Sequence, residues 1–462
     1  MKSTIVLSLL LLGVCGAYAH PTSIDKDGML RMNGERVFIL GLYEQAKNDA
    51  FAQEAAEAGF NLIRVNAAKE DLDRAQAHEL HAWIPLGGLA VSNEQEKTAL
   101  EAAVKTFASH PALAVWEAPD EALWNVWWLR WNRTVDRWKE VDEALAQFSG
   151  SAEEKEKLQS MAALWRRYRN SARYEQADAL EEQIRALVKL PPSPEKLSEW
   201  RQAIEPLRQQ LASGCETVRQ ADPKHVLWFN HAPRNSIADL TSFGELADIA
   251  GCDIYPVPFG PDNGHSDLAE RNLACVGRYT QRMAASIPGK PVWMVLQGFG
   301  WDDLNESRST DKKRPRPTYN QTRFMAYDAI ANGARGLLYW GSDYVDKNSI
   351  FWLELTKTVS ELCDLQPYLS APDANSRIKF IQHPSSASDD NGIVFLAKER
   401  EGKWAFFIVN EAAQALAFDL SGLNSLDGKS ITILGDPETL TVENGGFTYG
   451  LPSLSASVLL CE

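Results

Sequence analysis

The residues best suited to chemistry lie in Trp116-Glu117-Ala118-Pro119-Asp120-Glu121, which closes the apolar run Leu113-Ala114-Val115-Trp116 with three carboxylates. Clustered carboxylates repel one another, and crowding or burial raises the pKa of at least one of them. A carboxyl kept protonated near neutral pH is a general acid. Glu121 is expected to be that acid, Asp120 its conditional partner, and Glu117 a buried neighbour paired with Arg64. Each also has a structural reading. Glu121 would suit the first turn of a helix, and Asp120 would suit an N-cap.

Something must bring further groups to this stretch. Short apolar runs alternate with helical patterns, as a parallel α/β sheet requires. Eight runs read as strands: Val37–Tyr43, Asn61–Val65, Ala82–Leu86, Leu113–Trp116, Val226–Asn230, Ile249–Tyr255, Val292–Gln297 and Gly336–Trp340. Gly59 and Gly333 stop helices ahead of the next strand. Eight such units predict a (β/α)8 TIM barrel, whose function gathers at the carboxyl ends of the strands. Those ends offer Tyr43, Glu44, Arg64, Asn230, His231, Asp253, Tyr255, Gln297, Trp301 and Trp340. His231 is isolated and makes no metal site, and no metal or organic cofactor is expected.

One interval breaks the rhythm. A regular fourth helix fits Ser198–Gln220, with Ser198 as N-cap, which leaves residues 122–197 as a helical insertion over the barrel mouth. Trp124, Trp127, Trp128 and Trp131 fall on one face of its first helix, a spacing that more often means packing than binding. Trp124, nearest Glu121, is the member expected to touch ligand. Asp25–Arg36 reads as a small hairpin leading into the first strand. Beyond Arg377 only short β patterns occur, predicting a C-terminal sandwich. The organisation is thus a barrel over 20–375 and a β-sandwich over 376–462.

A formal charge of −15 and a pI near 5.1 argue against nucleic acid or an anionic membrane as partner. Residues 1–19 read as a signal peptide. Lys2 opens it, Ile5–Val14 is apolar, and Ala17-Tyr18-Ala19 is a cleavage site before His20, so a secreted or periplasmic protein is expected. No other stretch reaches the ~18 apolar residues of a membrane span. Cys215, Cys252, Cys275, Cys363 and Cys461 remain, widely spaced and without CxxC, and read as mostly buried thiols. Asn132, Asn305 and Asn320 head Asn-x-Ser/Thr patterns. Oligomeric state is left open.

Several segments together carry a resemblance. Asp27-Gly28 through Asn33-Gly34-Glu35-Arg36-Val37 to Tyr43, Ala58-Gly59-Phe60-Asn61-Leu62-Ile63-Arg64, Gly251-Cys252-Asp253-Ile254-Tyr255-Pro256 and Gly333 to Trp340 are similar, in order, to TIM-barrel glycoside hydrolases. The resemblance runs from about Asp25 to Leu369, apart from the insertion. It implies a glycosidase, which with the expected leader would be exported, acting on a neutral or N-acetylated oligosaccharide or polysaccharide. Glu121 would be the acid after strand four, with Arg64 and Trp340 lining the sugar site. Strand seven departs from the pattern, because Gln297 stands where the retaining clan has a nucleophilic Glu. Three schemes then follow. An inverting one pairs Glu121 with Asp253 or Glu44 as base, and needs carboxyls roughly 6.5–9.5 Å apart. In a substrate-assisted one Asp120 orients an acetamido group. In the third, Asp302, Asp303 or Asp343 supplies the missing carboxylate. The rival is a carbohydrate-binding barrel without catalysis.

Overall fold

The computed structural model describes residues 21–171, 173–259, 266–304, 315–385 and 391–462. The expected leader (residues 1–19), the sequon at Asn305 and the side chains of Trp131 and Asn132 lie outside the described residues. Eight parallel strands close into a barrel: Ile39–Leu42, Leu62–Arg64, His81–Pro85, Leu113–Glu117, Val226–His231, Ile249–Ile254, Val292–Gln297 and Gly336–Trp340, here strands one to eight. All eight fall within or against the predicted runs. Strands buried on both faces read as near-continuous apolar stretches, which is why they were visible. Inside the barrel, Trp228 and Trp293 lie 5.5 Å apart, centroid to centroid. The neighbouring strand approaches this closely because residue 251 is glycine. A Cβ there would sit 1.5 Å from the Trp293 carbonyl oxygen.

At the opposite end, Thr22–Ile24, Leu30–Met32 and Glu35–Val37 form a three-stranded antiparallel sheet, one strand more than the expected hairpin. Thr22 supplies the extra strand and an anchor. Its hydroxyl donates to the Ala114 carbonyl at 3.0 Å and accepts from the Val226 amide at 3.0 Å, tying it to strands four and five.

The insertion is a bundle of three helices, Ala122–Gln147, Ala152–Asn170 and Tyr174–Leu187. It has its own core, including Val141, Leu158, Ala177 and Ile184, around Trp138 and Trp165, whose rings stack at 3.6 Å and 7°. Ser198 does not cap a regular fourth helix; its hydroxyl donates to Asp178 at 2.6 Å. The chain instead forms Glu199–Gln202, breaks at Ala203, and resumes as Ile204–Ala221. Pro206 explains the break, because its ring clashes with the carbonyl four residues back, at Gln202, and it lacks the N–H to bond there.

The C-terminal part is a sandwich. One sheet holds Lys379–Gln382, Leu416–Ser421 and Gly446–Leu451. The other holds Ile393–Arg400, Lys403–Asn410, Ser455–Cys461, Ser430–Ile433 and Thr439–Thr441. Lys403–Asn410 is buried on both faces. Ala405, Phe407 and Val409 join the barrel core, while Trp404, Phe406 and Ile408 join the sandwich core. Of the five cysteines among the described residues, four are buried and all are free thiols. No helix among the described residues is long and apolar enough to cross a membrane.

A polar cluster is sealed into the seam between barrel and sandwich. Asp328 accepts from the Gly277 amide at 2.7 Å and from Asn332 at 3.1 Å, and shares a hydrogen bond with Glu411. Glu411 also faces Arg278 at 3.0 Å. Burial first, then the Glu411 charge, raises the Asp328 pKa well above the usual carboxylate range. A carboxyl protonated in the fold but ionised when unfolded stabilises the fold most at low pH, and that contribution is lost as pH rises through the folded pKa. Thermal unfolding from pH 4 upward should therefore show a falling Tm in the parent protein and a flatter profile in Asp328→Asn.

Candidate active site

Strand four ends at Glu117, which is 1% exposed. The expected ion pair with Arg64 is replaced by neutral donors. The Glu117 carboxylate accepts from Tyr43 Oη at 2.9 Å, Trp83 Nε1 at 3.0 Å and Trp228 Nε1 at 3.1 Å. Arg64 makes no ion pair among the described residues, and its charge acts on Glu117 at longer range. Burial and the neighbouring Asp120 charge push the Glu117 pKa up to about 7, against these hydrogen bonds. Three rigid donors make Glu117 a support for the strand end.

Asp120 and Glu121 follow in the loop. Neither caps the helix that begins at Ala122. The Asp120 carboxylate accepts from Asn230 Nδ2 at 2.8 Å, and the Glu121 side chain makes no capping bond. Glu121 has a left-handed backbone, φ 49° and ψ 34°. For a residue other than glycine that geometry costs about 1–3 kcal/mol, a cost found mostly where surrounding structure demands it. It turns the carboxyl toward strand six, where it shares a hydrogen bond with Asp253. Burial, then the Asp120 charge, raises the Glu121 pKa to about 7. Burial and the charges of Glu121 and Asp120 raise that of Asp253 further. A hydrogen bond between two carboxyls requires a proton, so the pair retains one near neutral pH and titrates as a unit.

A cavity of about 370 Å³ opens beside this pair. Asp120, Glu121, Asn230 and Asp253 form its polar wall, and Trp124, Tyr255, Trp301 and Trp340 its aromatic one. Tyr255 stacks on Trp340 at 5.6 Å and 19°, with Trp301 edge-on to Tyr255 at 6.2 Å. Trp124 is held by its own stripe, stacking on Trp128 at 4.5 Å, while Trp127 donates to Asn235 at 2.8 Å. The tryptophan spacing thus serves packing and cavity together. A second cavity of about 480 Å³, lined by Tyr43, Glu44, Arg64, Glu117 and Tyr344, shares Asp120 and Trp340 with the first. Glu44 accepts from Ser342 at 2.7 Å and Lys347 at 2.5 Å, and burial raises its pKa.

The structure puts two expected contacts elsewhere. Side chains alternate along a strand. Trp228 and Asn230 point inward to Glu117 and Asp120, so His231 faces the helix layer. There it packs near Phe229, 6.2 Å between centroids, and burial pushes its pKa down to about 4, leaving it neutral. Gln297 is fully buried and lines neither cavity. Its amide donates to the carbonyls of Val257 at 2.7 Å and Phe299 at 3.0 Å, and accepts from the Val257 amide at 2.9 Å. It clips one loop to the next. Of the carboxylates proposed for the third scheme, Asp303 is held by Arg316 at 2.8 and 2.7 Å, and Asp343 pairs with Lys47 at 2.9 Å.

Trp83, Trp228, Arg234 and Tyr344 belong to the site region but were not singled out from sequence. Inward parity on strands three and five was the available signal for the two tryptophans, and position in a strand-end loop for the other two. Among the described residues, no group of three or more His, Cys, Asp or Glu side chains is arranged to hold a metal ion.

No family model matches the chain, and no curated protein matches it. Solved structures do. A glycoside hydrolase family 5 structure from Bacteroides vulgatus superposes with a TM-score of 0.53 at 12% identity, covering 96% of this chain and 93% of the other. A second structure, described as a glycoside hydrolase, gives 0.53 at 14% identity over 96% of each chain. A beta-galactosidase from Bacillus circulans sp. alkalophilus gives 0.51 at 9% identity over 92% and 99%. At such identities the likeness is one of fold alone.

Proposed function

We propose that the protein is an exported glycoside hydrolase that cleaves an O-glycosidic bond in a glycan, with Glu121 as general acid. The observation that carries this reading is the hydrogen-bonded carboxyl pair of Glu121 and Asp253 at the wall of an aromatic-lined cavity at the strand ends. Indole and phenol faces suit the apolar faces of sugar rings, and a carboxyl poised near 7 can protonate a leaving oxygen. The activity of the structural neighbours supports the same reading by analogy.

Among the schemes, substrate assistance fits best. Glu121 and Asp253 are hydrogen-bonded, whereas inversion needs carboxyls roughly 6.5–9.5 Å apart with water between them. Gln297 offers no carboxylate, and its amide is occupied. Asp120, anchored by Asn230, remains to orient a 2-acetamido group that attacks the anomeric carbon. The acetamido oxygen forms the new bond, the glycosidic bond breaks, and the proton from Glu121 goes to the departing oxygen. Water then opens the cyclic intermediate with net retention, giving its proton back to the Glu121 carboxylate. The immobilised Gln297 favours the rival, a binding protein without turnover.

A panel of aryl glycosides and oligosaccharides, with and without 2-acetamido groups, tests this. Turnover confined to N-acetylated sugars with retained configuration is expected; inversion sinks the assisted scheme. Binding without turnover on every sugar supports the rival. The pH profile offers a further check. An acid must be protonated, so kcat should be level below about pH 7 and fall above it, following the Glu121 pKa. In Asp253→Ala the hydrogen bond that lowers the Glu121 pKa is gone, so the falling limb should move to higher pH.

A further inference from the structure

We propose that the inserted bundle holds a binding site for a small apolar molecule carrying one carboxylate, separate from the barrel mouth. A cavity of about 370 Å³ lies between the last turns of helix Ala122–Gln147 and the facing side of Ala152–Asn170. That volume falls in the roughly 300–1,000 Å³ range of small-ligand sites. The floor is apolar: Leu158 and Ala162 are buried, and Leu145 and Phe148 are half-buried. Gly150 sets the Phe148 end of it. A Cβ on residue 150 would sit 2.3 Å from the Phe148 ring, so the missing side chain lets that ring fold back over the turn.

Charge selects the occupant. The chain carries a net −15, and carboxylates outnumber cations around both barrel-mouth cavities. Around the bundle cavity the order reverses, with Lys155 and Arg166 against Asp142. Lys155 is exposed and makes no ion pair among the described residues. Arg166 donates to Asp142 at 2.8 Å, with its side chain 49% exposed. Asp142 also accepts from Trp138 Nε1 at 3.0 Å, so it keeps a donor when Arg166 turns toward a ligand. A carboxylate at the rim therefore meets two cations while its apolar body covers Leu145, Leu158 and Phe148. A neutral or cationic amphiphile gains only the apolar contact. The site stands or falls apart from the glycosidase reading.

Calorimetric titration of the full-length protein with octanoate, hexanoate, octanol and octylammonium tests the site. Octanoate is expected to bind more tightly than octanol or octylammonium, and to gain about fourfold over hexanoate for each added methylene. Lys155→Met keeps the apolar stem and removes the charge. It should weaken octanoate about fivefold and leave octanol unchanged. Gln159→Trp, at an exposed position on the rim, should fill the opening and weaken both. Circular dichroism checks that each variant is folded. No binding of octanoate, octylammonium bound as tightly as octanoate, equal affinity for hexanoate and octanoate, or an octanoate affinity that either substitution leaves intact overturns the site.

Discussion

Glu121→Gln is expected to lower kcat on an unactivated oligosaccharide by roughly 10²–10⁴-fold, the range general acid catalysis contributes. The substitution is nearly isosteric, and the amide can still hydrogen-bond with Asp253, but it carries no acidic proton. The loss should shrink on aryl glycosides with strongly acidic phenols, because such leaving groups depart without protonation. Stability should be unchanged or slightly raised, since burying a neutral amide avoids the repulsion between Glu121 and Asp120. Steady-state kinetics on both substrate types, with circular dichroism to check the fold, make the comparison. Equal turnover by parent and variant would remove Glu121 from the reaction.

Phe407→Ala should cost about 3–5 kcal/mol, the usual price of truncating a buried phenylalanine. Phe407 is fully buried on the barrel side of Lys403–Asn410 and stacks on Tyr327 of helix Tyr319–Ala331 at 6.0 Å and 25°. Because the same strand presents Phe406 and Ile408 to the sandwich core, damage on one face should be felt on the other. Urea unfolding followed by fluorescence and by circular dichroism should show coincident transitions in the parent, shifted together to lower urea in the variant. A sandwich that melts alone while the barrel holds would show that the two cores are independent.

The legible parts of this chain were those whose signal is local. Barrel strands announce themselves as apolar runs, and the helical composition of 122–197 declares an insertion. Gly446–Leu451 and Thr439–Thr441 carry little local signal, because glycines and exposed polar residues dilute the alternation in short strands of the sandwich. Pro206 lay in plain view as a helix breaker, yet the run was read as continuous. At the site, strand order sufficed to bring Asp120, Glu121, Asn230, Asp253 and Trp340 to one mouth. Parity was the harder quantity. It decides that Asn230 points in and His231 out, and that Trp83 and Trp228 converge on Glu117. Parity depends on where each strand begins within the closed barrel, which no single run reveals.

One consequence of the insertion is mechanical. Glu121 immediately precedes Ala122–Gln147, an unbroken rod of 26 residues, or about 39 Å at 1.5 Å per residue. The near end is pinned by Leu123 in the barrel core and by Trp127 on Asn235; the far end belongs to the bundle. A tilt of about 5° about the pinned end would sweep the far tip by ~3 Å, given that length, and shift the backbone at the pivot by only a small fraction of that. The acid therefore sits at the fulcrum of a long arm. A shift of the tip would move the proton donor least.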